Sequence, residues 1–126
     1  PYAELPAFMA TLREREGMGA RALEFTILTA ARTNETVGAK WSEIDMSKGI
    51  WTIPSERMKM GREHRVPLSS AAIALLQKLK LDRGDADYVF AGLSLTKPIS
   101  NMTMLATLNA MGRTDLTVHG FRSSFR

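Results

Sequence analysis

His119 and Arg122 stand three residues apart in VHGFRSSFR, at what reads as the start of a helix. Side chains at that spacing project from nearly the same helix face, so an imidazole and a guanidinium can converge on one phosphate. A second arginine, Arg32, lies far upstream in ARTNETVGAKWSEID, with Glu35 three residues after it. Between them the basic segment ERMKMGREHRVPL carries Lys59. Two guanidiniums can fork onto the oxygens of an anionic phosphodiester, and a lysine can hand over a proton. Taken singly, each has an ordinary explanation. An arginine near a helix end offsets the dipole, a hairpin lysine guards an edge, and a lone histidine bonds to backbone.

The elements that must position these groups follow from periodicity. Leu5, Phe8, Met9 and Leu12 recur at helical spacing, with Gly17 as the stop. Leu23, Ile27, Ala30 and Ala31 mark a second helix, and Thr33 precedes a short helical turn with Glu35 and Val37 that ends near Gly38. At Trp41 the pattern changes. WSEID and IWTIP read as strands joined by a turn over Met46–Gly49, and a third strand runs from His64 to Leu68 beyond a basic loop around Gly61. Ser69 or Ser70 caps the next helix, with Ala72, Leu75, Leu76 and Leu79 on its apolar face. Asp87–Phe90 is a short buried segment that reads as core strand. Ser100 caps a helix bearing Met104, Leu108 and Met111, and the last helix opens close to His119. The expected class is α+β: mostly helical, with a small three-stranded antiparallel sheet.

Composition bounds the function. A chain of 126 residues is one modest domain. With no cysteine, disulfides and thiolate metal sites are excluded, which suits a reducing cytoplasm. No apolar run reaches membrane-spanning length, so no membrane partner is expected. The net charge of +4 is a mild basic bias. Its distribution says more, because Arg57, Lys59, Arg62 and Arg65 fall within nine residues. Arg57, Arg62, His64 and Arg65 are therefore candidate contacts to a polyanionic partner. His64 reads either as a DNA-backbone contact or as an exposed strand residue. The eight methionines read as core filling.

The ordered set of boxes resembles the catalytic domain of the tyrosine recombinases, the phage-integrase family, in its prophage type. ARTNETVGAKWSEID is similar to the family's first box, an arginine followed by a Glu and a Trp-x-x-Ile-Asp strand. Lys59, seven residues before Val66-Pro67-Leu68, matches the second signature, and HGFRSSFR the next. The resemblance implies site-specific DNA recombination, the integration or excision of mobile DNA. A tyrosine would attack a DNA phosphodiester, become joined to the 3′ phosphate and free a 5′ hydroxyl. Catalytic roles then pass to Arg32 and Arg122 as the phosphate clamp, to Lys59 as general acid, and to His119. His119 either accepts the nucleophile's proton or holds a phosphate oxygen. Glu35 would orient Arg32. No metal or other cofactor is implied, since the phosphotyrosyl bond conserves the energy. The implied partners are double-stranded DNA and further recombinase protomers on it, in a bacterial or phage-derived cytoplasmic setting.

The sequence departs from that pattern at its ends. Its only tyrosines are Tyr2 and Tyr88, and neither occupies the nucleophile's place downstream of His-x-x-Arg. The chain is thus expected to be a catalytic domain, residues 1–126, cut before the nucleophile, without the family's N-terminal DNA-binding domain and inactive alone. Two other readings compete. A non-catalytic DNA-binding module accounts for the basic hairpin but not for the ordered arginines. A type IB topoisomerase shares the chemistry, but its catalytic domain is usually larger.

Overall fold

Helical periodicity near the N-terminus is realised as α1, Leu5–Glu14, which buries Phe8, Met9 and Leu12. The computed structural model describes residues 5–58, 60–113 and 117–118. Gly17, with φ 106°, turns the chain into α2, Met18–Thr29. This helix is apolar on most of its circumference and packs against its neighbours α1, α3, α4 and α5, as a helix buried on all sides must. Gly19 lets α5 approach closely, since a Cβ there would strike the side chains of Thr103 and Thr107.

One carboxylate is buried on α2. Glu24 lies between Arg13 Nε at 3.4 Å and Arg21 Nε at 3.2 Å, the pairing a buried charge needs. Arg21 Nη2 also donates to the carbonyls of Leu12 at 2.7 Å and Arg15 at 2.9 Å, tying α2 to the end of α1 and the turn after it.

Helix α2 stops earlier than its spacing predicts. Ala30 takes a left-handed φ of 55° as the C-cap, and its N–H and that of Ala31 return to carbonyls of the last turn. Ala30 and Ala31 therefore belong to the corner leading into α3, Thr33–Val37. A 2.8 Å hydrogen bond between the buried hydroxyls of Thr26 and Thr36 fastens α3 to α2.

The sheet has the order β1-β2-β3 and is antiparallel throughout. Strand β1 is only Ile44–Asp45, because Trp41–Glu43 forms a 3-10 turn where a strand was expected. The Glu43 carboxylate folds back to accept the Lys40 N–H at 3.2 Å, which favours the turn locally. Asp45 closes the next turn, accepting from Ser47 Oγ at 2.8 Å and Lys48 N at 3.0 Å. Strand β2, Ile50–Ile53, pairs with β3, His64–Pro67, so that Trp51 faces Val66 and Thr52 faces Arg65. Trp51 and Ile53 are fully buried, and Phe25 of α2 packs on Trp51 and on Phe90 with ring centroids 5.2 and 5.3 Å apart.

Ser69 caps α4, Ser70–Arg83, its hydroxyl accepting the Ala72 N–H at 3.2 Å. The Asp87–Phe90 segment contributes a single bridge, Lys40 to Tyr88, and buries Val89 and Phe90. Helix α5, Thr103–Ala110, has Met102 and not the expected Ser100 as its N-cap; the Ser100 hydroxyl instead accepts the Met102 N–H at 3.1 Å in the turn just before the helix, and Met111 is the C-cap. The expected mostly helical α+β class with a three-stranded antiparallel sheet is the observed one. No described helix is long and apolar enough to cross a membrane.

Candidate active site

Arg32 is the N-cap of α3, its backbone extended at φ −86° and ψ 157°. Glu35 serves it twice: Oε1 accepts the Arg32 backbone N–H at 3.0 Å, and Oε2 lies 3.8 Å from Nη1. The carboxylate is largely covered, whereas the Arg32 side chain is 51% exposed. Glu35 thus fixes the backbone from which Arg32 springs and steadies one edge of its guanidinium. The remaining edges face solvent, where a phosphate can reach them.

The basic strand lies at the edge of the sheet. His64 and Arg65 of β3 are exposed, as is Arg62 in the preceding loop. Arg65 Nε is 3.1 Å from Glu63 Oε2, with both side chains well exposed. A pair in that setting is held weakly.

Arg57 departs from the expectation that it faces DNA. Its Nη2 donates to Glu43 Oε1 at 2.9 Å, and the side chain is only 23% exposed. The same carboxylate oxygen accepts the Trp51 indole N–H at 3.2 Å and the Lys40 N–H at 3.2 Å. A guanidinium committed to a covered carboxylate has little left to offer a phosphate. Gly38, the C-cap of α3, makes room for it, since a Cβ there would collide with Arg57 Nη1. With φ −82°, Gly38 is a glycine for space and not for backbone conformation.

Lys59, His119 and Arg122 lie outside the described residues, as does Tyr2. Of the sequence-derived set, the described residues bring together Arg32 with Glu35, and Arg62, His64 and Arg65 along one edge. Tyr88 is partly covered, with Lys40 Nζ 5.5 Å from its ring centre. Among the described residues, no group of three or more His, Asp or Glu could hold a metal ion.

Comparison with known proteins bears on this arrangement. Residues 2–126 match the family described as "Phage integrase family". The chain belongs to the phage integrase family. It is 37% identical over 144 aligned positions to the integrase of Enterobacteria phage P4, covering all of this chain and 33% of that protein. Prophage integrase IntA of Escherichia coli K12 is also 37% identical, over 124 positions, 95% of this chain and 30% of the relative. The chain thus spans about a third of the length of the curated relatives it matches. Its fold resembles that of the XerA recombinase, with a TM-score of 0.64 at 18% identity, over 88% of this chain and 46% of that one. It also resembles a lambda integrase solved as a tetramer bound to a Holliday junction, with a TM-score of 0.66 at 22% identity, over 92% and 38% of the two chains.

For a phage integrase domain, sequence reasoning overlooked the trio of Glu43, Arg57 and Gly38. A local signal existed for part of it, because Glu43 follows Lys40 by three residues as Glu35 follows Arg32. The pairing of Glu43 with Arg57, fourteen residues apart, has no such signal.

Proposed function

We propose that this chain supplies part of the catalytic domain of a site-specific DNA recombinase, integrating or excising mobile DNA through a 3′-phosphotyrosyl intermediate. The attacking tyrosine belongs to protein outside these 126 residues, and the substrate is double-stranded DNA held by several protomers in a bacterial cytoplasm. The isolated 126-residue chain does not cleave.

The tyrosine oxygen bonds to phosphorus, and the bond from phosphorus to the 5′ oxygen breaks. Arg32 and Arg122 hold the non-bridging oxygens, where negative charge gathers in the pentacoordinate transition state. Lys59 gives a proton to the departing 5′ oxygen, which otherwise leaves as a poor alkoxide. His119 takes the proton of the tyrosine or holds a phosphate oxygen. Glu35 keeps Arg32 in place, as groups behind a catalytic residue do. Arg62, His64 and Arg65 follow the DNA backbone.

The observation that carries this reading is Arg32 itself. It is an arginine anchored through its backbone by a covered Glu35, yet with half its side chain open to solvent. A purely structural arginine would be paired like Arg57, whose guanidinium is committed to Glu43. Strand exchange between two defined DNA sites tests the function in a full-length recombinase carrying this domain. Exchange dependent on Arg32 supports it. Relaxation of supercoils without exchange would mark a topoisomerase, and binding without cleavage a passive module.

A further inference from the structure

We propose that Arg57, clamped on Glu43 and seated over Gly38, is a positioning residue that fixes the root of the Lys59 loop relative to the helix carrying Arg32. The proposal rests on Lys59 being the proton donor.

The geometry runs through named contacts. Helix α3 has Arg32 at its N-cap and Gly38 at its C-cap, six residues apart, or on the order of 9 Å along the axis. The Arg57 guanidinium closes over Gly38, so that a Cβ there would displace it. Its other side is held at 2.9 Å by Glu43 Oε1, which the buried Trp51 and the Lys40 backbone also grip. Arg57 Nε is buried with no partner of its own. A guanidinium that accepts this cost is held for its shape, and here the shape bridges α3, the turn before β1 and the end of β2.

Lys59 is two residues further along the chain. The segment is gathered on both sides. Met58 N–H returns to Ser55 O at 3.1 Å, and Gly61 N–H to Met58 O at 2.9 Å. From Met60, 84% accessible, through Glu63 the loop is exposed. Arg57 is thus the last covered charged side chain before the lysine, with Met58 between them packed against the core. A proton donor must sit within hydrogen-bonding reach of its leaving group, and a misplacement of about 1 Å can cost 10²-fold. The bridge from Gly38 to Arg57 gives the loop and the Arg32 helix one common frame.

The test uses DNA whose bridging 5′ oxygen at the scissile phosphate is replaced by sulfur, which departs without a proton. A full-length recombinase carrying this domain is assayed in single turnover on both substrates. The variants are Lys59→Ala, Arg57→Met and Gly38→Ala. Arg57→Met and Gly38→Ala should each lose on the order of 10²-fold on ordinary DNA. On sulfur DNA both should return to within about tenfold of the unsubstituted protein, as Lys59→Ala does. Gly38→Ala leaves Arg57 and Glu43 in the chain, so it carries the test if Arg57→Met does not fold. Equal losses on both substrates, with Lys59→Ala rescued, overturn the positioning role and leave Lys59 as the acid. Unchanged rates on ordinary DNA overturn it as well. If sulfur fails to rescue Lys59→Ala, the assignment of Lys59 falls, and this proposal with it.

Discussion

Replacing Arg32 by lysine in a full-length recombinase should separate folding from catalysis. Two interactions tie Arg32 to Glu35. The 3.0 Å bond comes from the backbone N–H, so any side chain but proline retains it. The other is a 3.8 Å ion pair on a half-exposed side chain, of a kind worth about 0–1 kcal/mol. Stability should therefore fall by no more than about 1 kcal/mol. Catalysis is another matter. Lysine keeps the charge but loses the planar fork, and with it at least one charge-assisted bond of about 1.5–3 kcal/mol to a non-bridging oxygen. Removing one preorganised donor of this type costs about 10²–10³-fold in rate. Single-turnover cleavage should drop on that order while DNA affinity and the unfolding transition stay near normal. Glu35→Ala should show the opposite balance. It removes the bond to the Arg32 N–H, which costs roughly 1 kcal/mol of stability, and leaves the guanidinium present but loosely held. An Arg32→Lys variant that cleaves within about tenfold of normal would refute the clamp, because even one lost charge-assisted bond exceeds that.

Two further outcomes can be checked independently. Arg62→Ala and Arg65→Ala should each flatten the log–log salt dependence of DNA binding by roughly 0.9, measured as isotherms at several salt concentrations; an unchanged slope removes that residue from the backbone contacts. The Asp45 carboxyl is held below its ordinary 3.8 by the Lys48 N–H and then by the Ser47 hydroxyl. Its folded value is depressed, so its contribution to stability is complete above about 3.8 and is lost as pH falls through the lower folded value. An NMR titration of Asp45 should find its midpoint below 3.8, and Asp45→Asn should remove that part of the acid dependence.

The helices were legible because their cores are local patterns. Phe8, Met9 and Leu12 on α1, and Leu75, Leu76 and Leu79 on α4, repeat at helical spacing and are buried as that spacing requires. Errors arose where a side chain overrode the pattern. Ala30 has good helix propensity, yet its φ is 55°, because the chain must turn there to bring Thr36 against Thr26. WSEID alternates like a strand, but the Glu43 carboxylate collects the Lys40 N–H and makes a turn of its first half.

At the site, the local support of Arg32 was readable in a Glu placed three residues later. The fate of Arg57 was not. Counted by charge it joins Arg62 and Arg65, but its partner Glu43 comes from another element and only tertiary structure brings them together. Likewise Gly38 read as a helix stop, which it is as the C-cap of α3, but nothing local showed that it also lies against a guanidinium.

The central claim is transfer of a DNA strand to a tyrosine under the control of Arg32. It is tested most directly by trapping the covalent adduct of a full-length recombinase on a nicked DNA site from which the cleaved fragment diffuses away. The expected result is protein joined to the 3′ phosphate, a free 5′ hydroxyl, an attachment peptide containing neither Tyr2 nor Tyr88, and no adduct from Arg32→Ala. An adduct on the 5′ phosphate, attachment through Tyr88, or full adduct formation without Arg32 would contradict it.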